Sequence, residues 1–154
     1  MEDTKSGYLS ENDYKKAYFL VPIPCVDILV TSGSNFLLEK RINEPAKGEW
    51  FFPGGRIYKG ELVGEALERK IKEELGISAV SKDFELITIE DHIFESGMLG
   101  GEIHNISLLY RIDFSERPEI VIDETQADEV AWFNEADDSW HPYVKKALLS
   151  LGYN

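Results

Sequence analysis

The chain has 154 residues, enough to bury one hydrophobic core, and 43% of them are hydrophobic and 29% are charged. Its formal net charge of −13 opposes nonspecific binding to nucleic acid or to an anionic membrane. Cys25 is the only cysteine, which excludes an intrachain disulfide framework and a thiolate metal cluster.

The sequence shows no sign of a division into domains. It has no linker-like stretch, low-complexity segment or internal repeat, so we expect a single domain over residues 1–154. The N-terminus lacks a signal-peptide pattern. The longest apolar run, 17–30, contains two prolines and an aspartate and is too short to span a bilayer. We therefore expect a cytoplasmic protein with no membrane or nucleic-acid partner.

The first half of the chain predicts a pair of strands and a short third strand. Residues 1–12 are polar and form either a loose segment or a short helix. The runs 25–30 and 36–41 are typical of strands joined by a turn at 32–35. After a loop that contains Pro45 and Gly48, a short strand precedes a turn at 53–55.

The second half begins with the clearest helix, predicted over 62–75. Apolar residues repeat there every four positions, and Gly76 is placed to end the helix in a left-handed conformation. A hairpin of two long strands, a short strand and a closing helix follow: 84–94 and 103–114 joined across 96–101, then 129–133, then 142–151. These elements predict an α/β or α+β fold, with helices packed on a mixed sheet.

Charged residues form an arc on one flank of the helix 62–75. At 100° per residue, Glu74, Lys70 and Glu73 point in neighbouring directions, with Glu74 nearest the apolar side. An acid there needs a partner, and Mg²⁺ prefers one or two carboxylates together with substrate phosphates. Glycines in the turn at 54–55 let the main chain approach the same place closely. The alternative is a solvated surface helix with ion pairs four residues apart.

The segment 55–77 resembles the Nudix box. That pattern is Gly, five residues, Glu, seven residues, then Arg-Glu-apolar-any-Glu-Glu-any-Gly-apolar. Every specified position fits except one, because Lys70 stands in the place of the first Glu of the Arg-Glu pair. The resemblance implies a Nudix α/β/α sandwich with a mixed sheet. It also implies hydrolysis of a nucleoside diphosphate linked to another group, with Mg²⁺ or Mn²⁺.

Within that family the chain is most similar to the GDP-mannose mannosyl hydrolases, which also lack the glutamate at the Lys70 position. The segment FLLEKRINEPAKGEWFFPGGRIYKGE, 36–61, resembles their nucleotide site, and the resemblance extends from about 24 to 133. It implies a nucleotide-sugar substrate and a homodimer. Three tyrosines near the N-terminus are candidates for the dimer interface: Tyr8, Tyr14 and Tyr18.

The resemblance also implies roles for individual residues. The metal ligands would be a carboxylate, a side-chain amide and a main-chain carbonyl: Glu74, Gln126, and Gly54 or Gly55. One acid and three arginines match positions that hold the nucleotide sugar or stabilise the departing diphosphate: Asp27, Arg41, Arg56 and Arg69. Glu73 would be a second metal ligand or a base for water that attacks phosphorus.

Two departures leave the mechanism open. Ala127 stands where the mannosyl hydrolases have a histidine general base, and such a loss typically costs about 10²–10⁴ in rate. Asn105 replaces a tyrosine of their substrate site. Other candidates for the base are His104, Asp128 and Glu124.

Three functions therefore remain in view. The first is release of GDP and a hexose by attack at the sugar carbon. The second is a pyrophosphohydrolase that attacks phosphorus in another nucleoside diphosphate derivative or a nucleoside triphosphate. The third is a noncatalytic nucleotide-sugar sensor.

Overall fold

The computed structural model describes residues 9–44, 46–95 and 101–154. Within them the chain forms three α-helices, one short 3₁₀ turn (Ser81–Asp83) and seven strands. The helices are α1 Glu11–Leu20, α2 Val63–Leu75 and α3 Pro142–Ser150. The strands are β1 Ile23–Ser32, β2 Asn35–Arg41, β3 Trp50–Phe51, β4 Gly54–Arg56, β5 Glu85–Phe94, β6 Ile103–Phe114 and β7 Ala127–Phe133.

All seven strands belong to one mixed sheet, as predicted. The main order is β3-β2-β1-β6-β5, while β4 pairs with β1 and β7 pairs with β2. Strands β1 and β6 run parallel along their length, and the other pairs are antiparallel. On one side of β1 the partner changes from β4 to β2 near Ile28, whose N–H donates to the carbonyl of Pro53 at 2.7 Å. This change of partner opens the sheet where the cavity described below lies.

The core lies on both faces of the sheet because successive strand side chains point in opposite directions. Alternate residues of β1, including Val26 and Ile28, pack with α2 residues such as Leu67. Leu29 instead belongs to the cluster formed with α3, through residues such as Leu148. The sheet therefore lies between helices, and the predicted α/β sandwich is confirmed.

Helix α2 follows its sequence pattern closely. It begins after Leu62, whose N–H donates to the Glu65 carboxylate at 2.8 Å. It ends at Gly76, whose φ of 69° is the left-handed conformation that glycine adopts without steric cost. The buried apolar stripe fixes which flank of the helix turns toward the cavity.

Three predictions about elements need correction or restriction. Helix α1 covers Glu11–Leu20, because Ser10 caps it and its tyrosine face packs inward, whereas the sequence suggested at most a short helix within 1–12. The turn predicted at 53–55 is partly strand, since β4 pairs with β1. The antiparallel pairing of β5 with β6 confirms the hairpin, but residues 96–100 of its connection lie outside the described residues. No helix in the described ranges is long and apolar enough to cross a membrane.

Candidate active site

A cavity of about 500 Å³ opens where β1 changes partner. This size is typical of pockets for small ligands. Helix α1 and the strands β1, β4, β5 and β6 supply most of its wall. Cationic side chains concentrate in one part of the wall: Arg41, Arg56, Arg69 and Lys70. Aromatic and uncharged polar side chains from β5 and β6 line another part of the wall, which we call the neutral end: His92, Phe94, Asn105 and Ser107.

Glu74 lies beneath the cationic part and is 3% exposed. One of its oxygens, Oε2, accepts a hydrogen bond from the Gly54 N–H at 2.9 Å. The other, Oε1, lies 2.7 Å from Lys70 Nζ in a buried ion pair. Burial is the largest single influence and lowers the pKa of Lys70, but attraction and a hydrogen bond to Glu74 together with attraction to Glu73 outweigh it, so the pKa is raised and the ammonium is retained. Lys70 and Glu74 of the predicted arc therefore form a buried pair, whereas the Glu73 side chain is half-exposed.

The glycines at the start of β4 make room for this cluster. A Cβ on Gly55 would lie 2.8 Å from Lys70 Cε, and a Cβ on Gly54 would overlap the main chain of β1. The two glycines thus bring the main chain against both the lysine and Glu74. The structure places Gly54, Gly55 and Glu74 together, as the sequence predicted.

The acid Glu39, on β2, belongs to the same cluster and was missed by the sequence analysis. It is 2% exposed, and burial raises the pKa of its carboxyl well above the ordinary value, with further contributions from the charge of Glu74 and a hydrogen bond to it. The signal was present in the sequence: Glu39 follows Leu37 by two positions in a strand, so both face the α2 side. A charged residue at a core-facing position points to a polar partner.

Arg69 is directed mainly at protein partners. Its Nε and Nη2 lie 2.5 and 3.0 Å from the two oxygens of Glu61, and Nη2 also donates to the Arg56 carbonyl at 2.9 Å. Nη1 lies 3.2 Å from Glu73 Oε2. The bidentate pair with Glu61 ties α2 to the loop before it, and the hydrogen bond to the Arg56 carbonyl ties α2 to the end of β4. The geometry favours a positioning role for Arg69 over direct contact with phosphate.

Arg56 lies in a stack of rings and cations that extends to α1. Its Cζ is 4.6 Å from the centre of the Tyr14 ring and 5.0 Å from that of Tyr58. The Cζ of Arg69 lies 4.0 Å from the centre of the same Tyr58 ring. Such contacts hold a guanidinium in place while its N–H groups still point outward. Arg56 therefore faces the cavity in a fixed orientation.

Asp27 is a buried carboxylate in the cavity wall. The hydroxyl of Tyr143, on α3, donates to Asp27 Oδ2 at 2.9 Å. Burial raises the pKa of Asp27 to about 6, although hydrogen bonds from Tyr143 and Ser107 and the charge of Arg41 oppose the rise. The group can therefore exchange a proton near neutral pH.

Of the three remaining predicted site residues, Arg41 and Gln126 line the main cavity and Glu73 does not. Arg41 follows a bulge in β2, and its Cζ lies 6.0 Å from the centre of the Phe51 ring. Gln126 lines the same wall just before β7, and its carbonyl accepts from the Ile42 N–H at 3.3 Å. Glu73 is outside this cavity and lines an adjoining one together with Asp123 and Gln126. The described residues contain no group of three Asp, Glu, His or Cys side chains placed to hold a metal.

The three alternative bases are not among the described residues that line the main cavity. His104 Nε2 lies 2.9 Å from Asp91 Oδ1 in an exposed pair, and Glu124 and Asp128 are exposed. Another histidine, His92, does line the cavity.

Two of the N-terminal tyrosines lie in the cavity wall. Tyr14 and Tyr18 are in edge-to-face contact there with ring centres 6.0 Å apart, and their part in a dimer interface stays a prediction. Tyr8 lies outside the described residues. The sequence did not reveal this because the extent of α1 and its packing against β6 depend on tertiary contacts.

Comparison with known proteins agrees with the fold and the box. A family model described as the NUDIX domain matches residues 21–146. The chain belongs to the Nudix family. Nudix hydrolases generally use a divalent metal such as Mg²⁺ or Mn²⁺. The resemblance seen in the sequence is thus confirmed at the level of the family.

Individual relatives extend over most of the chain. The low-salt glycan biosynthesis protein Agl8 of Haloferax volcanii is 29% identical over 151 residues, which are 97% of this chain and 94% of that protein. The nucleoside triphosphatase NudI of Salmonella heidelberg is 31% identical over 109 residues, covering 68% and 76% of the two chains. A crystal structure of a MutT Nudix hydrolase from Burkholderia pseudomallei matches with a TM-score of 0.70 and 25% identity, over 84% of this chain and 97% of that one.

Proposed function

We propose that this Nudix hydrolase cleaves a nucleoside diphosphate sugar of the GDP-mannose type, with attack at the sugar carbon, to give the nucleoside diphosphate and a hexose. The observation that carries the proposal is the division of one cavity into a cationic part and a neutral end. A diphosphate suits the first part and an uncharged, hydroxyl-bearing ring suits the second. The similarity to a glycan biosynthesis protein over nearly the whole chain is compatible with such a substrate.

The cationic part is suited to stabilise the departing diphosphate. Arg56 is held by two aromatic rings, and Arg41 lies over Phe51, so both cations are oriented before the substrate arrives. Preorganised charge of this kind lowers the energy of a transition state in which negative charge develops on the leaving group. Arg69 contributes by holding α2 against β4 through the Arg56 carbonyl and against the loop before α2 through Glu61.

The available donors fit a hard divalent cation such as Mg²⁺ or Mn²⁺. Glu74, Gln126 and the main chain at Gly54 or Gly55 would hold it through oxygen atoms, the donor type that Mg²⁺ prefers. Since Lys70 contacts one Glu74 oxygen, the lysine must yield that oxygen for an ion to bind there. When bound, the ion would supply positive charge next to the diphosphate.

A buried carboxylate near the neutral end is the candidate proton acceptor for the attacking water. Asp27 borders the neutral end, and because burial raises its pKa to about 6, a large fraction is ionised at pH 7. We propose Asp27 as the group that orients or deprotonates water there, in place of the residue missing at Ala127. Its hydrogen bond from Tyr143 fixes the orientation of the carboxylate.

The second candidate is a pyrophosphohydrolase that attacks phosphorus. One observation favours it: Glu73, whose side chain is 47% exposed, lines the adjoining cavity beside Arg69 and Lys70. An exposed carboxylate next to a phosphate site is suited to activate water toward phosphorus. The similarity to a nucleoside triphosphatase is compatible with this alternative.

Three variants of helix α2 separate these functions. We expect Glu74→Gln to abolish metal-dependent turnover of GDP-mannose while leaving the fold intact. Glu68→Gln is the matched control, since Glu68 accepts a hydrogen bond from Ser81 and lies outside both cavity walls. Glu73→Gln should leave turnover within about tenfold for attack at carbon, and should lower it by about 10²–10⁴ if Glu73 is the base. Full activity of the Glu74 variant would remove that residue from the metal site.

We also propose that the chain acts as one Nudix domain and forms a homodimer. The family model covers most of the chain, which supports the first part. Light scattering after size exclusion tests the second: a mass near twice 17.6 kDa is expected, and a mass near 17.6 kDa at micromolar concentration would contradict it.

A further inference from the structure

Lys70, the one residue of the box that departs from the Nudix pattern, separates the main cavity from the buried acid Glu74. The lysine lines both the main cavity and the adjoining one, whereas Glu74 lines neither, and its side chain is 2% exposed. Lys70 Nζ lies 2.7 Å from Glu74 Oε1, and the Gly54 N–H donates to the other oxygen. Both carboxylate oxygens therefore have protein partners, and only the lysine can leave without moving the main chain.

A second acid gives the lysine an alternative position. Glu73 Oε2 lies 3.5 Å from the same Nζ, and the Glu73 side chain is half-exposed and lines the adjoining cavity. The ammonium thus stands between an inner, buried acid and an outer one. Its stem passes close to Gly55, where a Cβ would lie 2.8 Å from Lys70 Cε. Because the four-carbon stem is flexible, the charge can change position while α2 stays in place.

The buried ion pair turns cation binding at Glu74 into a competition. Mg²⁺ usually binds to one or two carboxylates together with substrate phosphates, so Glu74 without a phosphate is a weak site. The lysine weakens it further, since its ammonium must first leave the carboxylate. A displaced ammonium then needs another anion, because a cation left in a buried place without a partner is costly. Phosphate oxygens in the cationic part, where Lys70 lies beside Arg41 and Arg56, would provide that anion.

We propose that Lys70 is a built-in competitor of the divalent cation, which holds Glu74 in the absence of the ion and moves to the diphosphate of the substrate when the ion binds. The inference rests on the proposed function, from which it takes the cation at Glu74 and the diphosphate. It assigns a task to the residue that replaces a glutamate of the box. It also makes the binding of metal and diphosphate reciprocal, because each ligand removes an obstacle to the other.

Mn²⁺ alone is the probe for the competition. Electron paramagnetic resonance measures the free aqueous ion, and so gives the affinity of the nucleotide-free protein for it. Lys70→Met keeps an unbranched side chain without the charge and should bind Mn²⁺ at least tenfold more tightly than wild type. The control is Lys72→Met, which removes a lysine of the same helix that contacts the Gly76 carbonyl and lines neither cavity; its affinity should stay within twofold of wild type. Equal or weaker binding by Lys70→Met, or an equal gain in the control, would overturn the proposal.

The same titration with a bound diphosphate tests the second position of the lysine. Guanosine 5′-(α,β-methylene)diphosphate, which resists cleavage between its phosphorus atoms, is present at saturation, and the Mn²⁺ held by free nucleotide is measured separately and subtracted. In wild type the released ammonium then pairs with phosphate, so the advantage of Lys70→Met should fall below threefold. An advantage that stays at tenfold or more would overturn the transfer of Lys70 to the diphosphate.

A measurement on the wild-type protein keeps the test independent of variant folding. ¹H–¹⁵N NMR correlations of lysine ammonium groups resolve those held in buried ion pairs, so Lys70 should give a signal in EDTA. Saturation with Mg²⁺ and the methylene analogue should shift or broaden this signal, and should also shift the amide of Gly54, which donates to the same carboxylate. An unchanged Lys70 signal, whether or not the Gly54 amide moves, would overturn the proposal.

Hydrolysis of GDP-mannose by the wild-type protein, with Mg²⁺ or with EDTA, separates this inference from the proposed function. Metal-dependent release of GDP and mannose, together with equal Mn²⁺ affinities of wild type and Lys70→Met, would overturn the inference and leave the function in place. Tighter Mn²⁺ binding by Lys70→Met without any hydrolysis by wild type would support the competition and overturn the function.

Discussion

The hydrogen bond from Tyr143 to Asp27 links α3 to the site and gives the sharpest prediction for stability. Tyr143 is 5% exposed, and its hydroxyl lies 2.9 Å from Asp27 Oδ2. Replacing Tyr143 with phenylalanine keeps the ring and removes only the donor. The Asp27 carboxylate then loses one of the hydrogen bonds that oppose the effect of burial.

The cost of Tyr143→Phe to the free energy of unfolding depends on pH. The folded-state pKa of Asp27, about 6, lies above its ordinary value of 3.8, so folding favours the protonated form. This group's contribution to stability is fully present below pH 4, and about 3 kcal/mol is lost as pH rises through 6. Removing the tyrosine donor raises the folded-state pKa further. Since hydrogen bonds to charged groups are worth about 1.5–3 kcal/mol, we expect Tyr143→Phe to cost about 2 kcal/mol at pH 8.

At pH 5 the carboxyl is largely protonated in the folded protein, and the lost bond is one between neutral groups. We therefore expect a cost of only about 1 kcal/mol there. Urea denaturation at pH 5 and pH 8 measures both values. Tyr153→Phe is the control, because Tyr153 packs edge-to-face on Phe36 at 4.8 Å and its charged neighbours are Arg111 and Asp113 rather than Asp27. Equal losses at the two pH values for Tyr143→Phe would refute this account of Asp27.

Three further predictions concern the cluster around α2. Arg69→Lys should lower the free energy of unfolding by about 1–2 kcal/mol, because lysine cannot pair with both oxygens of Glu61. A double-mutant cycle with Glu61→Gln that shows no coupling energy would contradict this. Lys70→Met should lower the free energy of unfolding by about 3 kcal/mol without metal, because Glu74 stays buried without its cation. Mn²⁺ should then raise the melting temperature of this variant more than that of the wild type. An equal rise in the two proteins would count against this role of Lys70. Gly54→Ala should cost about 3 kcal/mol, because its Cβ would overlap β1, and wild-type stability in chemical denaturation would disprove the tight approach.

Much of the fold was predictable because the local signals agree with the tertiary structure. In α2 the four-residue apolar repeat and Gly76 lie where the helix packs and ends. The parallel pairing of β1 with β6 could not be predicted, because it joins residues about 80 positions apart and has no local signature. Helix α1 was also underestimated, since its inward face is visible only once β6 lies beneath it.

The candidate site, like the fold, was predictable only in part. Residues within the box were found together because their spacing on one helix fixes their directions, as Lys70 and Glu74 show. Glu39 and His92 were missed because strand pairing brings them to the site, and each looks ordinary in its own segment. Arg69 was found, but its partner Glu61 decides what it does, and that pairing depends on the course of the loop before α2.

The central claim is that water attacks the sugar carbon. Hydrolysis of GDP-mannose in H₂¹⁸O, with Mg²⁺ present and products resolved by mass spectrometry, tests it directly. We predict GDP without ¹⁸O and mannose that carries the label, with the mannose examined before ring opening exchanges it. GMP and mannose 1-phosphate, with the label in either phosphate, would contradict the claim and establish attack at phosphorus.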